Sequence, residues 1–225
     1  MKVIVFDLGG TLMEFAGMPL LWVDYYENGF KSIAENFQYN ISKDDIDLSV
    51  KIMKSYNPRV NYREKEYSAE YIFDKSLRHW NVRYEMKSVI ETFFYGIDLN
   101  TVIYDDTINV IKDLKLKGYM ICALTDIPSA MPDYLFKNSI KDLLQYIDFY
   151  VSSQSCGYRK PNTYGIELIA EKYNVDLSDL IFVGDEEKDK VLAEKIGCQF
   201  YLIDRKGINR KADLSHLAEL IDKIK

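Results

Sequence analysis

Apolar, mostly β-branched residues open the chain and predict a buried strand at residues 3–6. The strand pattern ends at Asp7, and Gly9 and Gly10 then permit a tight turn. Ligands bind at the carboxyl ends of strands in open α/β sheets, so Asp7 occupies a place where a carboxylate often has a functional role. The alternative for Asp7 is a structural role, as the residue that caps the turn.

Residues 19–95 carry apolar positions at helical spacing and show no strong strand pattern. Ser42 and Ser68 stand where helix N-caps are expected. A loop with the turn signal Asn57-Pro58 covers residues 57–63. The predicted helices of this block span residues 19–37, 42–56, 68–79 and 84–95.

From residue 104 onward, short apolar runs alternate with helical patterns. The predicted strands are at residues 119–125, 149–152, 180–184 and 199–203. The predicted helices are at residues 106–118, 132–146, 162–173, 189–196 and 213–224. This alternation indicates βαβ units and a parallel sheet, which the strand at residues 3–6 is expected to join. The pattern therefore predicts an α/β fold in which the helical block is an insertion after the first strand.

The composition is typical of a soluble globular protein, with 48% hydrophobic and 28% charged residues in a chain of 225. The net charge is −6 and Lys and Arg form no dense cluster, which argues against nucleic acid as a partner. No stretch approaches about 18 apolar residues, and Asp7 interrupts the N-terminal apolar run, so we predict neither a membrane span nor a signal peptide. Three widely spaced cysteines fit reduced thiols in a cytoplasmic protein. The pattern assigns no oligomeric state.

Polar residues follow three further strands. Thr125-Asp126 ends one strand, and Gly184-Asp185 ends another, with Asp189 four residues later. The segment after the strand at residues 149–152 contains Lys160. Because the carboxyl ends of parallel strands lie at one edge of a sheet, these side chains are expected to meet Asp7 there.

These residue types have a coherent joint use. Asp7 and Asp185, with a backbone carbonyl, offer the oxygen ligands that Mg²⁺ prefers. A cation there compensates the repulsion between the two carboxylates and leaves Asp7 able to attack phosphorus as a nucleophile. Lys160 then stabilises charge on the transferred group, and Thr125 donates a hydrogen bond to a phosphoryl oxygen.

The chain resembles the haloacid dehalogenase superfamily of hydrolases. The resemblance rests on four segments in family order: residues 7–12, Thr125, Lys160-Pro161 and residues 184–189. It implies a Rossmann-like core of residues 1–14 and 100–225, with a four-helix cap at residues 15–99. It also implies Mg²⁺, a small phosphorylated substrate and hydrolysis of a phosphate monoester.

The resemblance further implies roles for single residues. Asp7 is the expected nucleophile, with Lys160 as the second catalytic residue. The expected phosphate-binding residues are Gly10, Thr125, Asp126 and Lys160. The expected metal ligands are Asp7, the Gly9 carbonyl, Asp185 and Asp189. We interpret the acidic side chains of Asp126, Glu186 and Glu187 as surface groups rather than metal ligands.

One position departs from the family pattern. Phosphatases of the superfamily usually carry a second aspartate two residues after the nucleophile, where it serves as general acid and base; here the residue is Gly9. Loss of such a group typically lowers the rate about 10²–10⁴-fold. Three interpretations stay open. The chain is a phosphohydrolase with another proton source, or it catalyses other chemistry such as dehalogenation, or it is a noncatalytic relative.

The possible sources of the missing acid are the cap, solvent and Glu14, which would have to fold back toward the site. In the cap, Lys51 and Lys54 match no Schiff-base motif that phosphonate cleavage would need. The loop with Arg59, Tyr62 and Arg63 has two interpretations, a grip on a substrate anion or a polar connection between helices. We expect hinges for cap closure near residues 12–18 and 97–103.

Overall fold

The computed structural model describes residues 2–19, 21–205, Leu214 and Leu217. Its strands are β1 (Val3–Phe6), β2 (Met13–Phe15), β3 (Thr101–Ile103), β4 (Met120–Thr125), β5 (Phe149–Ser152), β6 (Ile181–Gly184) and β7 (Gln199–Leu202). Its α-helices are α1 (Tyr26–Asn36), α2 (Lys43–Ser55), α3 (Ala69–Leu77), α4 (Met86–Ile97), α5 (Thr107–Leu116), α6 (Asp133–Ser139), α7 (Lys141–Leu144), α8 (Ser153–Cys156), α9 (Tyr164–Tyr173) and α10 (Glu187–Ile196). Within the described residues, no helix has both the length and the apolar character needed to cross a membrane.

The central sheet has five parallel strands in the order β5-β4-β1-β6-β7, with β1 in the middle. All four residues of β1 are buried, as its continuous apolar run predicts. Val3 and Val5 pack into a cluster with residues of α9 and α10, whereas Ile4 and Phe6 pack with residues of α5. The sheet therefore lies between two layers of helices, and the predicted α/β fold class is confirmed.

The helices α1 to α4 form the inserted block, packed around an aromatic core. Phe93 lies at its centre, with ring centroids 5.0 Å from Phe30 and 5.1 Å from Phe73. Gly29 lets α1 approach α4, since a Cβ atom there would lie 2.4 Å from the Phe93 ring. The same buried cluster includes Phe6 of the sheet, so the helical block and one face of the sheet share a continuous core.

The predicted caps of two helices are present: Ser42 accepts a hydrogen bond from the backbone of Asp45, and Ser68 accepts one from Tyr71. The first predicted helix, at residues 19–37, starts later than expected. A 3₁₀ turn covers Val23–Tyr25 before α1 begins. Trp22, directly before this turn, packs edge-on against Phe15 of β2.

The strands β2 and β3 are absent from the sequence prediction. They form an antiparallel ribbon in which Glu14 faces Val102. Three residues per strand are too few for a period-two pattern to emerge, so only the pairing partner reveals them. The ribbon falls within the segments named as hinges, residues 12–18 and 97–103; hinge motion and the division into core and cap stay predictions. The helix predicted at residues 213–224 lies outside the described residues, apart from Leu214 and Leu217.

Candidate active site

Three strand ends and one loop meet at one edge of the central sheet. Asp7 follows β1, Thr125 ends β4 and Asp185 follows β6. Lys160 reaches the same edge from the segment between α8 and α9. These four residues line one cavity of about 880 Å³, so the structure brings together the side chains that the sequence placed at this edge.

Lys160 is an ammonium group enclosed by carboxylates. Its Nζ atom lies 2.7 Å from Oδ1 of Asp7 and 2.7 Å from Oδ1 of Asp189, and its side chain is 1% exposed. Burial disfavours the charged ammonium, but the nearby carboxylates of Asp189, Asp7 and Asp126 outweigh this and raise the pKa of Lys160 above its usual value. Lys160 therefore stays positively charged beside the carboxylates of Asp7 and Asp189.

The carboxylates outnumber this cation. Asp7, Asp185 and Asp189 each place one oxygen within 4.8 Å of the others. Burial, together with the charges of Asp189 and Asp185, raises the pKa of Asp7 to about 7 despite the opposing effect of Lys160. Burial and the charges of Asp189 and Glu186 raise the pKa of Asp185 to about 6. A further cation would relieve this repulsion, and an all-oxygen donor set suits a hard divalent ion.

Two glycines make room for the carboxylates. Gly10 has φ +83°, and a Cβ atom there would lie 2.2 Å from Oδ2 of Asp185. A Cβ atom at Gly184 would lie 2.5 Å from Oδ2 of Asp189. Side chains at these two positions would fill the space that the carboxylates occupy. We call the backbone at Gly10 and Gly184 the cradle, because it leaves room for the carboxylates that could hold a cation.

Asp126 is a buried support, so its interpretation as a surface group is wrong. Its side chain is only 6% exposed. Oδ1 accepts a hydrogen bond of 3.0 Å from the backbone N–H of Lys160, and Oδ2 lies 3.0 Å from Nζ of Lys188. Burial acts to raise the pKa of Asp126, but Lys188, Arg159 and Lys160 together hold it below its usual value. Asp126 thus positions the backbone of Lys160 and remains ionised.

Lys188 is a site residue that the sequence reasoning missed. It lines the cavity, pairs with Asp126 and lies 3.2 Å from Oε2 of Glu186. Glu186 also pairs with Arg59 from the helical block, so it too is no isolated surface acid; Glu187 is exposed, as expected. The available signal was the position of Lys188 in the first turn of α10, directly before Asp189.

The loop at residues 57–63 does reach the cavity, which Arg59, Tyr62 and Arg63 all line. Arg63 is engaged within its own segment, where it donates to the carbonyl oxygen of Tyr56 over 3.1 and 3.2 Å and to Oε1 of Glu66 over 2.8 Å. Its guanidinium group therefore holds the loop together. Arg59 also pairs with a carboxylate, that of Glu186, but 38% of its side chain is exposed against 13% for Arg63, so it is the more accessible of the two.

The segment after this loop, residues 64–66, is tied to the core. Lys65 forms a β-bridge with Tyr158, and the backbone N–H of Glu66 donates to the carbonyl of Gly157 over 2.9 Å. The Glu66 carboxylate is buried, pairs with Arg159 and accepts a hydrogen bond of 2.7 Å from Ser153. We call residues 64–66 the tether, because they join the helical block to the loop that carries Lys160.

Gly9, the position of the absent second aspartate, has open space beside it. A Cβ atom there would have no heavy atom within 4 Å. Gly9 is exposed and lines the cavity. The structure therefore has space for a side chain at position 9, and crowding does not explain the glycine there.

This chain belongs to the haloacid dehalogenase-like hydrolases: the family model matches residues 1–197. Membership agrees with the order of the four motifs and with their meeting at one edge of the sheet, and the resemblance stated from the sequence is confirmed. The chain is therefore a hydrolase with an α/β core of the family type.

Three individual proteins are similar to this chain over most of its length. The phosphoglycolate phosphatase of Vibrio vulnificus (strain CMCP6) is 24% identical over 202 residues, covering 88% of this chain and 81% of that protein. A HAD phosphatase from Thermococcus onnurineus has a TM-score of 0.63 at 18% identity, covering 98% of each chain. The 2-haloacid dehalogenase from Pseudomonas syringae pv. Tomato DC3000 has a TM-score of 0.69 at 16% identity, covering 100% of each chain. The two structural likenesses concern the fold alone.

Proposed function

We propose that this chain is a Mg²⁺-dependent phosphohydrolase that acts on a small phosphorylated metabolite through an aspartyl-phosphate at Asp7. The observation that carries the proposal is the buried group formed by Lys160 and three aspartates at the carboxyl edge of the sheet. The separated cysteines, two of them buried and all unpaired, support a cytoplasmic setting.

Each residue of the site has its own role in the proposed reaction. Asp7 attacks phosphorus, and the Lys160 ammonium favours the ionised form of its carboxylate and then stabilises charge on the transferred group. Thr125 offers its hydroxyl to a phosphoryl oxygen. Asp185, Asp189 and the Gly9 carbonyl join Asp7 as metal ligands. Bound Mg²⁺ would neutralise the excess carboxylate charge and polarise the phosphoryl group.

The cavity supports a substrate of modest size with more than one anionic group. Beyond Lys160, its wall carries Arg59, Lys188 and Arg205 around a volume of about 880 Å³, and each of these cations also pairs with a carboxylate of the chain. The names of the curated relatives fit this description, because phosphoglycolate carries a carboxylate as well as a phosphate. We propose a phosphate monoester of a small acid as the substrate class, with residues 15–99 closing over it as a cap.

A panel of phosphorylated metabolites and one aryl phosphate tests the proposal through release of inorganic phosphate. We expect release that requires Mg²⁺ and is lost in Asp7→Asn. Metal-independent halide release from 2-haloacids would instead identify a dehalogenase, the reading that Gly9 favours because a halide leaves without a proton. No turnover on either panel, with Mg²⁺ still bound, would identify a noncatalytic relative.

A further inference from the structure

Glu14 lies on β2, the ribbon strand that is hydrogen-bonded to the turn at Gly9 and Gly10. Met13 forms a β-bridge with Gly9, and its carbonyl accepts a hydrogen bond of 2.8 Å from the N–H of Gly10. Because side chains alternate along a strand, the buried Met13 and the exposed Glu14 point to opposite sides of β2. Glu14 lines the cavity together with Asp7, so the fold itself returns this carboxyl group to the site.

The hydrogen-bond partner of Glu14 differs from the partners of Asp126 and Glu186, two other acids on the cavity wall. Asp126 and Glu186 both pair with Lys188, and a carboxylate beside an ammonium group resists protonation. Glu14 instead accepts a hydrogen bond of 3.0 Å from the phenol of Tyr104, a neutral donor. Glu14 is thus a carboxyl group on the cavity wall whose hydrogen-bond donor carries no charge.

We propose that Glu14 is the general acid and base of the phosphatase reaction, in the role for which Gly9 has no side chain; this inference rests on the proposed function. In the first step Asp7 attacks phosphorus, the bond from phosphorus to the leaving oxygen breaks, and the proton of Glu14 passes to that oxygen. In the second step Glu14 takes a proton from water, the water oxygen bonds to phosphorus, and the bond to Asp7 breaks. Inorganic phosphate leaves, Asp7 is a carboxylate again and Glu14 again carries the proton.

Tyr104 is the positioning residue for Glu14. Its ring lies under the guanidinium group of Arg205, which is 4.2 Å from the ring centroid. Arg205 is itself held by the Thr11 carbonyl, over 2.7 and 3.0 Å, and by Asp106 over 2.8 Å. Burial and the bond to Glu14 raise the pKa of Tyr104 above its usual value, so the phenol stays a donor. The hydroxyl of Tyr104 donates to Oε2 of Glu14, so Oε1 is the oxygen atom that carries the proton.

The dependence of the rate on the leaving group tests this role. A p-nitrophenolate group leaves without a proton, whereas an alkoxide needs one. We expect Glu14→Gln to lower kcat about 10²–10⁴-fold on the alkyl phosphate that the unmodified protein hydrolyses fastest, and by less than about tenfold on p-nitrophenyl phosphate. Tyr104→Phe should lower kcat on the alkyl ester by a smaller factor and leave KM unchanged.

Two further variants sharpen the test. Glu186→Gln also changes a cavity carboxyl group to an amide, and it should affect the aryl and alkyl esters by similar factors. Gly9→Asp added to Glu14→Gln should restore much of the alkyl rate, because position 9 has open space for a side chain. In the otherwise unchanged chain, Gly9→Asp should alter the alkyl rate little, since Glu14 already supplies the proton.

The possible failures are distinguishable. If the unmodified protein hydrolyses neither ester with Mg²⁺, the proposed function fails and the inference with it. If it hydrolyses both and Glu14→Gln slows both equally or neither, the function stands and the role of Glu14 is refuted. Activity on the aryl ester alone also refutes that role, because a proton donor in the site would make alkyl esters substrates.

Discussion

The buried ion pair between Glu66 and Arg159 provides a sharp test of how the tether is held. Glu66 is 8% exposed and Arg159 is 6% exposed, so water screens the pair poorly. Arg159 also donates a hydrogen bond of 3.0 Å to the carbonyl oxygen of Ile127. Replacing Glu66 by Ala would remove the carboxylate paired with this buried guanidinium group and would also remove the partner of Arg63.

The expected loss of stability follows from that burial. Breaking a buried pair by removing one partner typically costs about 3–5 kcal/mol. For a chain of this size, 1 kcal/mol moves Tm by roughly 2–4 °C, so Glu66→Ala should lower Tm by about 6–20 °C. Asp47→Ala is the matched control, since it breaks the exposed pair with Lys43 on α2 and should leave Tm nearly unchanged.

Thermal unfolding followed by circular dichroism, with urea unfolding at one temperature, measures both variants. The double variant Glu66→Ala with Arg159→Ala should lose less than the sum of the two single variants, because the second change removes the orphaned charge. If Glu66→Ala melts together with Asp47→Ala, or if the two losses simply add, the pair does not hold the tether and our reasoning is wrong.

Three further predictions concern the neighbouring carboxylates of Asp7, Asp185 and Asp189. Below its ordinary pKa of 3.8, Asp7 is protonated whether folded or not; because burial raises its pKa to about 7, the stability it contributes to the metal-free protein is lost as pH rises from about 4 to 7. Asp7→Asn should remove up to about 3 kcal/mol of that pH dependence, measured by urea unfolding in EDTA at pH 5 and pH 8, and an unchanged dependence would contradict the burial argument. Mg²⁺ should raise Tm more at pH 8 than at pH 5, because the ligands are then ionised; equal increases would speak against carboxylate ligands. Gly10→Ala should weaken Mg²⁺ binding in calorimetry and destabilise the fold by about 1–3 kcal/mol, whereas Gly9→Ala should do neither; similar behaviour of the two variants would exclude the cradle.

The positions of the central site residues were predictable because parallel strands impose them. Asp7, Thr125 and Asp185 each stand at the carboxyl end of an apolar run, and hydrogen bonding of β1 to β4 and β6 brings those ends together. No pairwise distance had to be known for this. The prediction needed only strand type and strand direction, both of which the alternation of strands and helices indicates.

The contacts that orient these residues were not predictable, because they join distant parts of the chain. Glu66 and Arg159 are 93 positions apart and belong to two loops without a periodic pattern. Asp126 was interpreted as a surface group, but its side chain is buried and pairs with Lys188 of α10, which is distant in the sequence. A one-dimensional pattern indicates which elements form; it carries no signal for such pairings.

Charge balance gives a physical reason to place the acid on the ribbon. Asp7, Asp185 and Asp189 already exceed the single ammonium of Lys160, and a carboxylate at position 9 would add a further negative charge beside the nucleophile. On β2, Glu14 stands apart from that cluster and accepts a hydrogen bond from the neutral phenol of Tyr104. Its place then depends on the pairing of β2 with β3, the two strands that join the helical block to the sheet. Proton delivery in this chain is therefore tied to the geometry of the ribbon, whereas an aspartate at position 9 would be bound to the rigid end of β1.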